Sequence, residues 1–152
     1  MPLAYLSLGS NLGNRAAYLR EAVAGMKSTP GISVVAESSL VETPPWGMTE
    51  QPAFLNSCVA IQTELSPLEL LAVLQQLERA SGRTRTKKWG PRTLDIDILC
   101  YDEVTLNTPQ LTLPHAYMTE REFVLAPLVQ IAPNLLVKGK TVSSWLAELA
   151  GK

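Results

Sequence analysis

The chain has 152 residues, of which 46% are hydrophobic and 18% charged, with a formal net charge of −1. That length supports one domain with a real core and leaves little room for two. The charge excludes both a disordered polyelectrolyte and the broadly basic surface of a dedicated nucleic-acid binder, so any anion site must be local.

The chain opens on an apolar run, Leu3 to Leu8, which reads as a buried strand feeding the turn Gly9-Ser10-Asn11-Leu12-Gly13. The N-terminus has no basic leader, and no window approaches the apolar length that spans a bilayer, so a soluble cytoplasmic protein is expected. From Asn14 to Lys27, Leu19, Ala22, Val23 and Met26 recur at helical spacing, and Pro30-Gly31 ends the helix. Ile32 to Val41 and Phe54 to Thr63 carry the β-branched composition of strands, separated by a long loop containing Thr43-Pro44-Pro45-Trp46-Gly47.

Ser66-Pro67-Leu68-Glu69 is a capping-box pattern with proline at the first helical position; Leu70, Leu71, Leu74 and Leu77 then form one stripe of a helix ending near Gly82. Asp95 to Tyr101 returns to strand composition. The order strand, helix, strand, strand, helix, strand predicts an α+β domain with a ferredoxin-like βαββαβ core over residues 1–152. A C-terminal embellishment follows: short strands at Val104 to Leu106 and Leu111 to Leu113, a helical region at Glu120 to Ile131 interrupted by Pro127, and a closing helix from Ser143 to Leu149. Cys58 and Cys100 fall inside apolar strands and read as buried free thiols.

Residue chemistry concentrates before and within the last core strand. In an extended strand Asp95 and Asp97 share a face about 7 Å apart, with Ile96 and Ile98 on the other. Two hard carboxylates so placed suit Mg²⁺ shared with substrate phosphates; taken alone, a solvated face or an ion pair with Arg92 explains them more simply, because charged residues normally sit outside. Arg83, Arg85, Lys87, Lys88 and Arg92 lie within ten residues, beside Trp89 and Pro91. Guanidinium forks recognise phosphate oxygens, which favours a nucleoside triphosphate site over a solvated basic linker. Neither Gly139-Lys140-Thr141 nor the turn at Gly9 to Gly13 has the frame of a nucleotide fingerprint; both read as turns. His115, the single histidine, excludes a histidine-rich metal site and fits either a loop position or a phosphate contact. Phe54 and Asn56 share a strand face, suited to stacking on a flat heterocycle or to plain core packing.

The decapeptide Trp89-Gly90-Pro91-Arg92-Thr93-Leu94-Asp95-Ile96-Asp97-Ile98 resembles the signature of the 6-hydroxymethyl-7,8-dihydropterin pyrophosphokinases. Ser7-Leu8-Gly9-Ser10-Asn11-Leu12-Gly13, Thr43-Pro44-Pro45, Phe54-Leu55-Asn56 and Leu113-Pro114-His115 follow in that family's order, so the resemblance spans residues 3 to about 133. It implies transfer of a diphosphate from ATP, the co-substrate, to the pterin hydroxymethyl group in folate biosynthesis, with AMP released. It further implies that Asp95 and Asp97 hold two Mg²⁺ ions and that Arg83 and Arg92 stabilise the transferring group. Phe54 and Phe123 would sandwich the pterin, with Thr43, Pro45, Asn56 and Trp89 around it. Gln75, Glu78, Arg85, Trp89, Arg92, Ile98, Thr112, His115 and Arg121 would contact ATP. The chain departs from the expected pattern at Gln110, Ala116 and Trp46.

The partners so implied are small molecules, with no nucleic acid and no membrane, and a monomer is the default. Two rivals remain from the residues alone. An RNA-binding module would have to stack bases on sheet aromatics, which a 6% aromatic content and two aspartates disfavour. A regulatory domain would keep the pocket without turnover.

Overall fold

The computed structural model describes residues 2–10, 14–43, 54–80 and 94–151. Strand β1 (Leu3–Ser10) leads to helix α1 (Arg15–Lys27), whose N-cap Asn14 accepts the Ala17 N–H on its side chain. Gly31, at φ +86, turns the chain into β2 (Ile32–Glu37), followed by β3 (Val41–Thr43) and β4 (Phe54–Thr63). Helix α2 (Pro67–Ala80) starts on the expected capping box: the Ser66 N–H donates to Glu69 Oε1 at 2.9 Å, and the Glu69 N–H to Ser66 Oγ at 3.3 Å. Strand β5 (Asp95–Tyr101) has the bounds read from composition.

These five strands form one sheet in the order β2-β4-β1-β5, with β3 also paired to β4 and every pairing antiparallel. Helices α1 and α2 cover one face, where Leu6, Leu8, Ile61, Leu70, Leu74, Ile96 and Ile98 are buried together. The other face packs against α3 (Glu122–Ile131), to which α4 (Val142–Ala150) is packed in turn, around Cys58, Leu99, Cys100, Met118, Leu125 and Leu128. Both cysteines are free and buried, as expected; burial pushes the thiols up to about 12 at Cys58 and about 11 at Cys100.

Two expectations are corrected. The single strand from Ile32 to Val41 is two. Register against β4 slips by one residue at Val35 and again between Glu37 and Val41. At the second slip Ser38 Oγ takes the place of a backbone carbonyl and accepts the Cys58 N–H at 2.8 Å, so the ladder breaks. Gln130 on α3 clamps the break, accepting the Ser39 N–H at 2.8 Å and donating to Ser39 Oγ at 2.9 Å. The second correction concerns Pro127, which interrupts nothing: α3 runs through it, and the residue is buried. The missing amide costs one intrahelical bond, and packing of Val124, Leu125 and Leu128 holds the rest.

The short C-terminal elements sit within two residues of their expected places. β6 (Leu106–Asn107) pairs with β7 (Thr112–Leu113), and a 3₁₀ turn at Met118–Glu120 precedes α3. Of Gly139-Lys140-Thr141 only the glycine is in a turn: Lys138 and Gly139, both at positive φ, join β8 (Leu136–Val137) to β9 (Lys140–Thr141) as a two-residue hairpin. No helix among the described residues is long and apolar enough to cross a membrane.

Candidate active site

Strand register assembles the site. Gly9 on β1 pairs with Asp95 on one side and with Asn56 on the other, and Asn56 pairs with Val41. Ser7, two residues away, pairs with Asp97 and Cys58. Directly opposed residues share a face, so Asp95, Asp97, Ser7, Gly9, Asn56 and Phe54 all lie on the face covered by α3. Asp95 and Asn56 are two strand spacings apart, about 10 Å. Asp95 and Asp97 are half-buried while Ile96 and Ile98 are buried on the opposite face, as alternation requires.

Gly9 is required by this arrangement. A Cβ built there would lie 2.8 Å from Asn56 Oδ1 and 3.5 Å from Phe54 Cδ1, so the side chains of β4 lean across the bare backbone of β1. Asn56 is buried beneath them at 3% exposure.

One irregularity in β5 brings in the second wall. Tyr5 pairs with Cys100 but Leu6 pairs with Ile98, leaving Leu99 as an extra, bulged residue. The Leu99 carbonyl accepts the His115 N–H at 2.8 Å, which anchors the segment after β7 alongside the two aspartates. The Tyr117 N–H donates to His115 Nδ1 at 3.3 Å, so the neutral ring carries its proton on Nε2. Burial first, then the charge of Arg121, push this imidazole down to about 4, against an upward pull from Asp95. His115 is therefore neutral at pH 7 and offers a donor without a charge.

Arg121 ends the 3₁₀ turn and is buried at 8% exposure, its guanidinium 5.3 Å from the Tyr117 ring centre and 5.5 Å from that of Phe123. Burial pushes it below its ordinary value, and Asp97 and then Asp95 pull it back up. Arginine stays charged under such a shift, so the site sets one buried cation among two carboxylates. A cleft of about 270 Å³ opens beside Asp97, lined by Leu71, Ile98, Gln110, Thr112, His115 and Tyr117 among others. Its mixed apolar and polar lining suits one flat, polar-edged ligand.

The structure thus brings together Asp95, Asp97, Asn56, Phe54, His115 and Arg121, with Ile98 and Thr112 in the adjoining cleft. Phe123 stands half-buried at the start of α3, and Thr43 closes β3 opposite Phe54. Gln75 is half-buried on α2, whereas Glu78 is buried and its Oε2 accepts the Ile96 N–H at 2.8 Å. Pro45, Arg83, Arg85, Trp89 and Arg92 lie outside the described residues, as do most of the two long loops. Sequence reasoning missed Ser7, Gly9, Leu71 and Tyr117 as parts of the site. The signal for the first two was present: small residues alternate with leucine in Ser7-Leu8-Gly9, marking a strand face that something approaches closely.

A family model described as 7,8-dihydro-6-hydroxymethylpterin-pyrophosphokinase (HPPK) matches residues 5–133. The chain belongs to this family. It is 52% identical over 149 residues to the 2-amino-4-hydroxy-6-hydroxymethyldihydropteridine pyrophosphokinase of Methylorubrum extorquens, covering 98% of this chain and 94% of the relative. The Bacillus subtilis protein of the same name is 50% identical over 133 residues, 88% of this chain and 80% of its own. Among solved structures, Plasmodium falciparum HPPK-DHPS with pteroate superposes with a TM-score of 0.79 at 16% identity over 99% of this chain. That match supports the fold alone, and the HPPK chain spans only 42% of that longer protein.

Proposed function

We infer that the chain transfers the diphosphate of ATP to the hydroxymethyl oxygen of 6-hydroxymethyl-7,8-dihydropterin, releasing AMP. The observation that carries this reading is the shared strand face on which Asp95 and Asp97 stand beside Gly9 and Asn56, with His115 and Arg121 facing them. Membership of the pyrophosphokinase family supplies the reaction class. On the order β2-β4-β1-β5 and the antiparallel pairings we assign the core to the ferredoxin-like class, and residues 1–152 to one domain.

Two half-buried carboxylates two residues apart are a hard-oxygen donor set that fits Mg²⁺. Among the described residues no group of three or more metal-ligating side chains occurs, which fits ions completed by substrate phosphates rather than an all-protein cage. Asp95 and Asp97 would hold two such ions, and bound magnesium would supply neutralisation of phosphate charge.

The chain's own residues then position and complement. Arg121 offers a buried positive charge to phosphate oxygens, and His115 an Nε2–H donor whose protonation state is constant across neutral pH. Asn56 presents an amide to the edge of the pterin ring, with Phe54 and Phe123 as stacking surfaces; the family resemblance gives Thr43, Pro45 and Trp89 the same ligand. We assign Gln75, Ile98 and Thr112 to the nucleotide, and the family resemblance gives Arg83, Arg85 and Arg92 the same partner. The pterin oxygen forms a bond to the β-phosphorus as the bond to the AMP oxygen breaks, and the alcohol proton leaves to solvent. Positioning and charge complementarity carry most of such a transfer.

The test is incubation with Mg-ATP and 6-hydroxymethyl-7,8-dihydropterin, followed by separation of the nucleotides. AMP formed in step with a pterin diphosphate is expected; ADP, or no pterin-dependent turnover, overturns the reading. Asp97→Ala is expected to lower kcat by at least about 10³-fold, since charge neutralisation at the transferring group is lost. Near-normal turnover in that variant would remove the metal assignment.

A further inference from the structure

Helix α2 buries three side chains, Leu70, Leu74 and Glu78, at successive steps of four. The third is a carboxylate at 5% exposure, on a stripe where another leucine would pack more cheaply. Its Oε2 accepts the backbone N–H of Ile96 at 2.8 Å, the length of a charge-assisted bond. Ile96 lies between Asp95 and Asp97, and β5 is the outer strand of the five-stranded sheet, beyond β1. The Ile96 amide is thus met by a helix side chain in place of a neighbouring strand.

We propose that Glu78 is a positioning residue, which holds the Asp95–Ile96 peptide plane and so aims the two aspartates. The peptide unit is rigid from one Cα to the next, so fixing the Ile96 N–H fixes the Cα of Asp95 as well. Further along the same strand, the His115 N–H bonded to the Leu99 carbonyl restrains the bulge. Asp95 and Asp97 therefore lie on a stretch of strand held on one side by pairing with β1 and on the other by Glu78 at its start and His115 beyond its middle. A metal pair tolerates little displacement of its ligands, so an acceptor that fixes the Ile96 amide from the helix side has a use beyond satisfying one buried N–H. The proposal rests on Asp95 and Asp97 being the metal-holding pair, and it changes the role of Glu78 from nucleotide contact to strand anchor.

The experiment uses the ¹⁵N-labelled full chain as wild type, Glu78→Gln and Glu78→Ala. Glutamine keeps an oxygen acceptor for Ile96 without the charge, and alanine removes it. Amide exchange at Ile96 is expected to accelerate by roughly 100-fold in Glu78→Ala and by less than about tenfold in Glu78→Gln. Titration of magnesium in the presence of a non-hydrolysable ATP analogue is expected to show affinity for the metal weakened about tenfold in the alanine variant and largely recovered in the glutamine variant. Unchanged Ile96 exchange in Glu78→Ala overturns the proposal. So does a glutamine variant as impaired as alanine, with analogue affinity lost at saturating magnesium, because the carboxylate charge would then be touching the nucleotide. If Glu78→Ala does not fold, the Ile96 amide resonance decides: an upfield move in Glu78→Gln supports the anchor, and an unmoved resonance overturns it. The exchange arm reads the anchor whether or not the chain makes AMP, so failure of the reaction assignment would show separately.

Discussion

At the scale of single residues, the site depends on what is missing from Gly9. Its absent Cβ leaves room for Asn56 Oδ1, and Gly9→Ala would force that buried amide aside. If Asn56 binds the pterin edge, Gly9→Ala weakens pterin affinity about tenfold, the worth of one hydrogen bond, and ATP affinity much less. Calorimetric titration of each substrate checks this, and equal losses for both would contradict it. His115 gives a second expectation. Its folded pKa of about 4 lies below the ordinary 6.5, so between these values the unfolded chain takes up a proton that the folded chain refuses. Its contribution is complete above about pH 6.5 and is lost as pH falls toward 4, amounting to about 3 kcal/mol or less. Urea unfolding of metal-free protein at pH 7 and pH 4.5 measures the loss, and His115→Gln should show a smaller one.

At the scale of elements, α2 was legible because its signals are local. A capping box, a proline at the first position and a leucine stripe all point to one start, and the Ser66–Glu69 bonds are in place. Ser66→Ala is expected to cost about 1 kcal/mol, read as a lowered urea midpoint with an unchanged slope. The break between β2 and β3 was not legible, because its cause is spread over distant residues: the Ser38 hydroxyl meets the Cys58 amide, and Gln130 reaches back from α3. β-branched composition continues across it and reports nothing of the register slip. Pro127 misled for the opposite reason, a strong local signal overridden by burial of the helix around it.

At the scale of the whole molecule, alternation along β5 was enough to expect that Asp95 and Asp97 share a face, but not what they face. Their opposition to Gly9 and Ser7, and through these to Asn56 and Cys58, follows from sheet order, which pairs strands far apart in the chain. The decapeptide around the aspartates pointed to the chemistry because its residues are contiguous. Ser7, Gly9 and Tyr117 stayed hidden because only the assembled sheet and the segment after β7 bring them alongside.

The extra residue at Leu99 bears on how this gene can change. Before it, the side chains facing α3 are Asp95 and Asp97; after it, parity is reversed, so that Cys100 joins the same layer while Tyr101 packs with Ile96 and Ile98. Deleting that single codon would restore strict alternation, and the strand would have to choose between aiming its acids and seating its apolar end. It would also remove the carbonyl that receives the His115 amide. Point substitutions can drift through this strand one side chain at a time, whereas a change of length here alters both walls of the site at once. Length variation among descendants of this gene should accordingly collect in the loops and spare the seven residues from Asp95 to Tyr101.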